Sequence, residues 1–364
     1  MKWLLRILVV LFLLAAAAGA AIYFIPAVQD RVVAMQIDRA FSVQRDELVG
    51  TDALNVAICG SGSPMPDPNR RPACNVVMAA SHIFVVDAGP GSWSNASGWR
   101  IPMAKVEAVL LTHFHSDHIG DVGEVNLQSW VAGRPQPLVV YGGPGVERVV
   151  NGFNEAYAMD ASHRVAHHGA DYLKPELGVM QSSQIVDPAG GLLINGESVT
   201  VFDQDGLKVT AFAVDHHPIS PAYGYRFDYK GRSVVFTGDT IKTENIALFA
   251  KGADVLISEA MLMDVVTQMQ SVAHTYGRTR FEKILHDIRD YHISPSDSAD
   301  LAAEAGVKHL VFSHVIPPLP QWLGARMFTR DTDRPGLDVR LGFDGMLITL
   351  PADGSDAKFG DLTP

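Results

Sequence analysis

An apolar run from Val106 reads as a β-strand ending at Thr112, and four metal-ligating side chains follow it within six residues: His113, His115, Asp117 and His118. Asp121 is a fifth ligand-capable position. Alternation at the end of a strand turns His113 and His115 to one side. Asp117 and His118 begin the next turn and can address a second point a few ångströms away. Imidazole nitrogens and carboxylates are what zinc accepts, at roughly 2.0–2.2 Å. The fold must therefore gather ligands at a strand end.

Composition narrows the class. The 364 residues are 47% hydrophobic and 19% charged, enough apolar material for a large core. The formal charge is −11, from 40 acidic against 29 basic residues, which argues against a long nucleic-acid grip. Two cysteines exclude a disulfide scaffold and a four-thiolate zinc site. Short apolar runs bounded by Gly, Pro and Asn recur at Asn55–Cys59, Asn75–Ala79, His82–Asp87, Leu138–Tyr141, Ser198–Phe202, Leu207–Val214, Tyr223–Tyr229, Ser233–Thr237, Val255–Ser258 and His309–Phe312. Helical patterns occupy Gly123–Val131, Val146–Tyr157, Met261–Met269 and Arg280–Asp290. Another opens at Ser294-Pro295-Ser296-Asp297, with a capping serine and proline in the first turn. Two strand-rich halves, each finishing in helices, predict two sheets inside and helices outside.

The stretch from His113 to His118 resembles the HxHxDH signature of the metallo-β-lactamase superfamily, and the likeness extends from Leu54 to about Leu350. The resemblance implies an α/β fold, an αββα sandwich of two mixed sheets with metals at one sheet edge. Three further ligands are then expected at strand ends, and Asp215-His216-His217-Pro218, Gly238-Asp239-Thr240 and Ser313-His314-Val315 offer them. By this match His113, His115 and His216 hold one metal, Asp117, His118 and His314 hold the other, and Asp239 bridges them. His217 is the neighbouring alternative to His216. Two Zn²⁺ are the expected cofactors, with Mn²⁺ or Fe as alternatives. Asp117, Asp239 and a bridging hydroxide leave the pair net positive, which suits an anionic ester and makes the hydroxide a nucleophile near neutral pH.

Within the superfamily the chain is most similar to ribonuclease Z and its arylsulfatase relatives. Gly60-Ser61-Gly62-Ser63-Pro64 with Pro66, Asn69 and Arg70 resembles that branch's first-strand loop, and Asp87-Ala88-Gly89 its loop after the third strand. Leu256-Ile257-Ser258-Glu259-Ala260 resembles its His-Glu-Ala-Thr segment, with Ser258 in place of His. Tyr291-His292-Ile293-Ser294 resembles its His-Ser-Thr loop. Asp117, Glu259 and His292 are thereby the expected catalytic residues, Glu259 orienting His292, which protonates the leaving oxygen. The insertion from Ala170 to Glu197 carries one Lys and no Arg against four acids, unlike a basic tRNA-holding arm. A small anionic ester is therefore the expected substrate, an aryl sulfate ahead of a phosphodiester, with nucleic acid not a partner. The alternatives are ribonuclease Z-type processing of tRNA 3′ ends, lactone or thioester hydrolysis, and a metal-bound module without turnover. Trp93 and Trp99 are expected in packing, with a substrate wall as their alternative.

Lys2 and Arg6 precede an uncharged stretch from Ile7 to Val28, about 30 Å long as a helix at roughly 1.5 Å per residue. Residues 1–28 are expected as a membrane anchor, or as a signal peptide cleaved near Ala18-Gly19-Ala20. Either way the rest lies outside the cytoplasm, in a bacterial periplasm. Residues 29–53 are expected as a linker and short helix, 54–350 as the hydrolase domain and 351–364 as a tail. Cys59 and Cys74 close a loop between strands expected to pair. Pairing alone does not guarantee bridgeable geometry, so two buried thiols are expected rather than a disulfide.

Overall fold

In a computed structural model, residues 2–42 and 45–363 are described. The chain divides into two units, residues 1–45 and 46–364. The first contains the helix Lys2–Phe24, whose residues are nowhere buried. It is the one helix among the described residues long and apolar enough to cross a membrane, with a mean hydropathy of 2.6. Pro26 biases Ile25 away from helical backbone, and a second helix, Pro26–Ser42, starts on that proline.

The second unit is built on β1 (Ala53–Gly60), β2 (Cys74–Ala79), β3 (His82–Ala88), β4 (Val106–Leu110), β5 (Val139–Gly142), β6 (Gln181–Gln184), β7 (Ser198–Gln204), β8 (Leu207–Ala213), β9 (Tyr223–Tyr229), β10 (Arg232–Phe236), β11 (Val255–Met261), β12 (His309–Ile316), β13 (Asp338–Leu341), β14 (Met346–Pro351) and β15 (Lys358–Asp361). One sheet runs β15-β14-β1-β2-β3-β4-β5-β6 and the other β13-β12-β11-β10-β9-β8-β7. Both are mixed. β1, β2 and β3 pair antiparallel, β3, β4 and β5 parallel, while β10, β11 and β12 run parallel in the second sheet.

Period-two alternation places the core. Val56 and Ile58 on β1 face the other sheet and meet Val209, Phe227 and Val234 in the central cluster. Ala57 and Cys59, one residue out of phase, face the outer layer with Trp99, Val122 and Val125. On the far side Leu256, Leu310 and Phe312 pack beneath Ile246, Leu301 and Ala302. Sheets covered on both faces read as continuous apolar runs. The architecture is the αββα sandwich.

Several boundaries differ from the sequence expectations. The helix expected at Val146–Tyr157 continues to His168 and stops at Gly169, whose φ of +91° suits glycine. The 170–197 insertion supplies β6 on the sheet edge, and residues 351–364 supply β15 opposite β14. Leu48 and Val49, in the expected linker, are buried in the outer cluster.

Cys59 and Cys74 form a disulfide with a Cα–Cα distance of 5.0 Å, which corrects the expectation of two thiols. The β1–β2 register shifts between Ile58 and Gly60, at the bridge, a local irregularity that strand pairing alone does not reveal. Thiol titration of the unreduced, denatured protein is expected to find no free cysteine. Replacing both by serine should lower unfolding free energy by about 3 kcal/mol in denaturant titrations, the scale set by closing a loop of this length. Two titratable thiols would refute the bridge.

Candidate metal centre

The ligand-type side chains stand where strands end or buckle. His113 and His115 follow β4, and Asp117 and His118 lie in the single turn Ser116–Ile119. His216 follows β8 and Asp239 follows β10. His314 departs from expectation because β12 runs past it to Ile316. Ser258 pairs with Phe312 and Ala260 with Val315, so Ser313 and His314 together oppose Glu259. This bulge, with His314 at φ +47°, turns the imidazole toward the cluster. A second irregularity lies between β2 and β3. Cys74 pairs with Ala88 and Asn75 with Val86, which leaves Asp87 as the extra residue, at φ +59°.

The structure brings together all seven expected ligands. His113, His115, His216 and Asp239 each offer an atom to one group whose members lie within 4.8 Å of one another. Asp117, His118 and His314 form a second such group. Asp239 stands between them. Its Oδ2 is 3.9 Å from His113 Nε2 and His216 Nε2, 3.5 Å from His118 Nε2 and 3.4 Å from His314 Nε2. His118 Nε2, His216 Nε2 and Asp239 Oδ1 are buried without hydrogen-bond partners. Unpaired buried polar atoms are costly, and cations would satisfy them. The donor set is the nitrogen and oxygen set that divalent metals accept, so the residues fit a metal centre.

Outer contacts orient these rings. His118 Nδ1 lies 2.8 Å from Asp87 Oδ2, and His216 Nδ1 donates to Tyr291 O at 2.8 Å. Asp87 also accepts from the Thr112 backbone N–H and hydroxyl. The motif around Asp87 is visible in the sequence, but its orienting role was missed. Its signal was an acid at the end of an apolar strand before Gly89. Beside the metal ligands, His292 Nδ1 lies 2.9 and 2.8 Å from the two Glu259 oxygens and 4.0 Å from Asp239 Oδ2. Glu259 also accepts from Thr240 N at 2.7 Å.

His217 is exposed, which leaves His216 as the residue facing the cluster. Asp121 lies outside both groups and accepts from Trp93 N. Trp99 is buried in the outer cluster and Trp93 packs against it. His167 and His168 are exposed at a helix end.

The buried charges oppose one another. Burial disfavours the charged form of His314, yet Asp239 and the bond to Asp117 outweigh it and raise the imidazole to about 9. Burial likewise opposes charge on His118, but Asp239 and Asp87 hold it well above the ordinary histidine range. Burial pushes His216 down to about 4, against Asp239. Burial also raises the Glu259 carboxyl, partly countered by His292. Both shifts favour the protonated imidazole in the absence of metal, and a proton held on the ligating nitrogen would have to leave on cation binding. Cation binding is expected to release protons at pH 7, and affinity to rise with pH above neutrality. Calorimetry in buffers of different ionisation enthalpy measures this. Binding with no proton release would contradict it.

Comparison with known proteins agrees with this geometry. Residues 82–315 match the family described as Beta-lactamase superfamily domain. A ribonuclease Z of Mycobacterium bovis (strain BCG / Pasteur 1173P2) is 35% identical over 269 residues, covering 73% of this chain and 87% of that one. A ribonuclease Z of Mycolicibacterium paratuberculosis is 34% identical over 285 residues, covering 76% and 93%. Among solved structures, the short form of human tRNase Z gives a TM-score of 0.58 at 22% identity, covering 82% and 99%. The metallo-β-lactamase fold protein YhfI of Bacillus subtilis gives 0.57 at 17%, covering 82% and 100%. At such identities the structural likeness concerns the fold.

The sequence relatives overturn two expectations. An aryl sulfate, or another small anionic ester, was expected as substrate and nucleic acid was set aside; the relatives are nucleases by name. Net charge and the acid-rich insertion misled because both describe the surface at large. The bond that is cut is decided by the local site.

Proposed function

The chain belongs to the β-lactamase superfamily, in its ribonuclease Z family, and on that premise we propose that it is a two-metal endonuclease hydrolysing phosphodiester bonds in RNA, of the kind that trims tRNA precursors at their 3′ ends. His113, His115 and His216 would hold one cation and Asp117, His118 and His314 the other, with Asp239 shared. Zinc suits these donors. Such a pair supplies a water acidified to a pKa near about 7 and positive charge facing the phosphate.

The observation that carries the proposal is the Glu259–His292 pair at 2.8 Å. Leaving alkoxides, such as ribose oxygens, need a proton, whereas the phenolates that leave aryl sulfates need little help. Glu259, held by Thr240 N–H, fixes the proton on His292 Nδ1 when the ring is neutral. A protonated His292 can give its Nε2 proton to the leaving oxygen.

The apolar N-terminal helix is long enough to serve as a membrane anchor or a signal segment. Residues 54–350 would then form the hydrolase, with residues 1–28 as anchor or signal. The test offers the zinc-loaded full chain a tRNA precursor with a 3′ trailer, a chromogenic aryl phosphodiester and an aryl sulfate. Chelator-sensitive cleavage at the trailer junction is expected, with the sulfate untouched. Turnover of the small esters with the RNA left intact would refute the assignment.

A further inference from the structure

Most imidazoles of the centre have an outer partner for the nitrogen turned away from the ligand group. His113 Nδ1 lies 3.1 Å from Thr112 Oγ1, His118 Nδ1 meets Asp87, and His216 Nδ1 meets Tyr291 O. His314 is different. Its Nε2 faces Asp117 Oδ2 at 3.2 Å and Asp239 Oδ2 at 3.4 Å, so a neutral ligating ring carries its hydrogen on Nδ1. That Nδ1 is buried with no acceptor in hydrogen-bond reach. On β2, Asn75 is also buried, and its Oδ1, an acceptor only, is likewise unpaired.

Both residues line one cavity of about 30 Å³ that adjoins the metal centre, its walls including His118, Asp239, Ser258 and Ser313. One water needs roughly 10–15 Å³ and two to four polar partners. The unpaired donor at His314 Nδ1 and the unpaired acceptor at Asn75 Oδ1 supply two. The register explains the placement. Asn75 pairs with Val86 beside the Asp87 irregularity, while His314 sits in the β12 bulge opposite Glu259.

We propose that Asn75, through one water held in this cavity, is the outer acceptor that fixes the tautomer of His314 and positions it to bind its cation. The water accepts from His314 Nδ1–H and donates to Asn75 Oδ1. Asn75 is a positioning residue and touches no substrate. The inference rests on His314 being a ligand, as proposed above.

Zn²⁺ titration of the full chain against a competing chelator tests it. Wild type should bind two ions; fewer would sink the two-metal assignment itself, separately from the role of Asn75. Asn75→Leu, close in size and without an acceptor, should weaken one ion by roughly 10–100-fold and spare the other. Asn75→Asp keeps an acceptor and should restore affinity. If Asn75→Leu does not fold, Asn75→Ala removes the acceptor without adding bulk and should show the same one-ion loss. In ¹⁵N spectra of the zinc-loaded protein, the His314 Nδ1–H resonance should move on acceptor loss and return in Asn75→Asp. Unchanged affinity for both ions, or equal weakening of both, would overturn the proposal.

Discussion

Asp239→Ala is expected to strip the protein of metal and activity together. Asp239 Oδ2 lies within 3.9 Å of a nitrogen on each of His113, His118, His216 and His314, so it reaches both ligand groups. Its removal also leaves His118 and His314 without the charge that chiefly offsets their burial. Losing an outer partner of a metal ligand costs roughly 10–100-fold, and losing a shared ligand should cost more. Metal analysis of the purified variant should fall from about two ions per chain, with RNA cleavage reduced in parallel. An Asp239→Ala protein that keeps both ions and full activity would refute the bridging role.

His292→Ala should separate chemistry from metal binding. The ring lies beside the ligand groups and is oriented by Glu259. Its loss should lower kcat by roughly 10²–10⁴ with metal content unchanged. The deficit should shrink for aryl phosphodiesters, whose leaving group needs no proton. Glu259→Gln should give a smaller fall in the same direction, because the amide still accepts from the ring. Equal losses across leaving groups, or loss of metal, would defeat the acid assignment.

The two-sheet plan and most of the site were legible because their signals are local. His113 to His118 follow one apolar strand, and His216 and Asp239 each follow another. The hidden parts depend on partner strands. Whether His314 ends β12 or sits in a bulge is decided by how Ser258 and Ala260 pair across from it. The orienting role of Asp87 follows from its place as an extra residue opposite Cys74 and Asn75. The disulfide depends on the neighbouring irregularity in β1. β6, of sequence Gln-Ser-Ser-Gln, is a polar edge strand without apolar alternation, and β15 is similar in kind. The error over substrate had another origin. Overall charge describes the surface at large, whereas the Glu259–His292 pair, to which protonation of a poor leaving group is assigned under the proposed function, is the local feature that bears on it.

The location of the cations is the most direct test of a two-metal hydrolytic centre. Crystals of the zinc-loaded full chain, measured at the zinc absorption edge, should give two anomalous peaks. One should lie among His113, His115 and His216, the other among Asp117, His118 and His314, and both should touch Asp239. A single peak among Asp239, His292 and His314, which also lie close enough to share an ion, would make His292 a ligand and contradict both the metal pair and the acid role assigned to it.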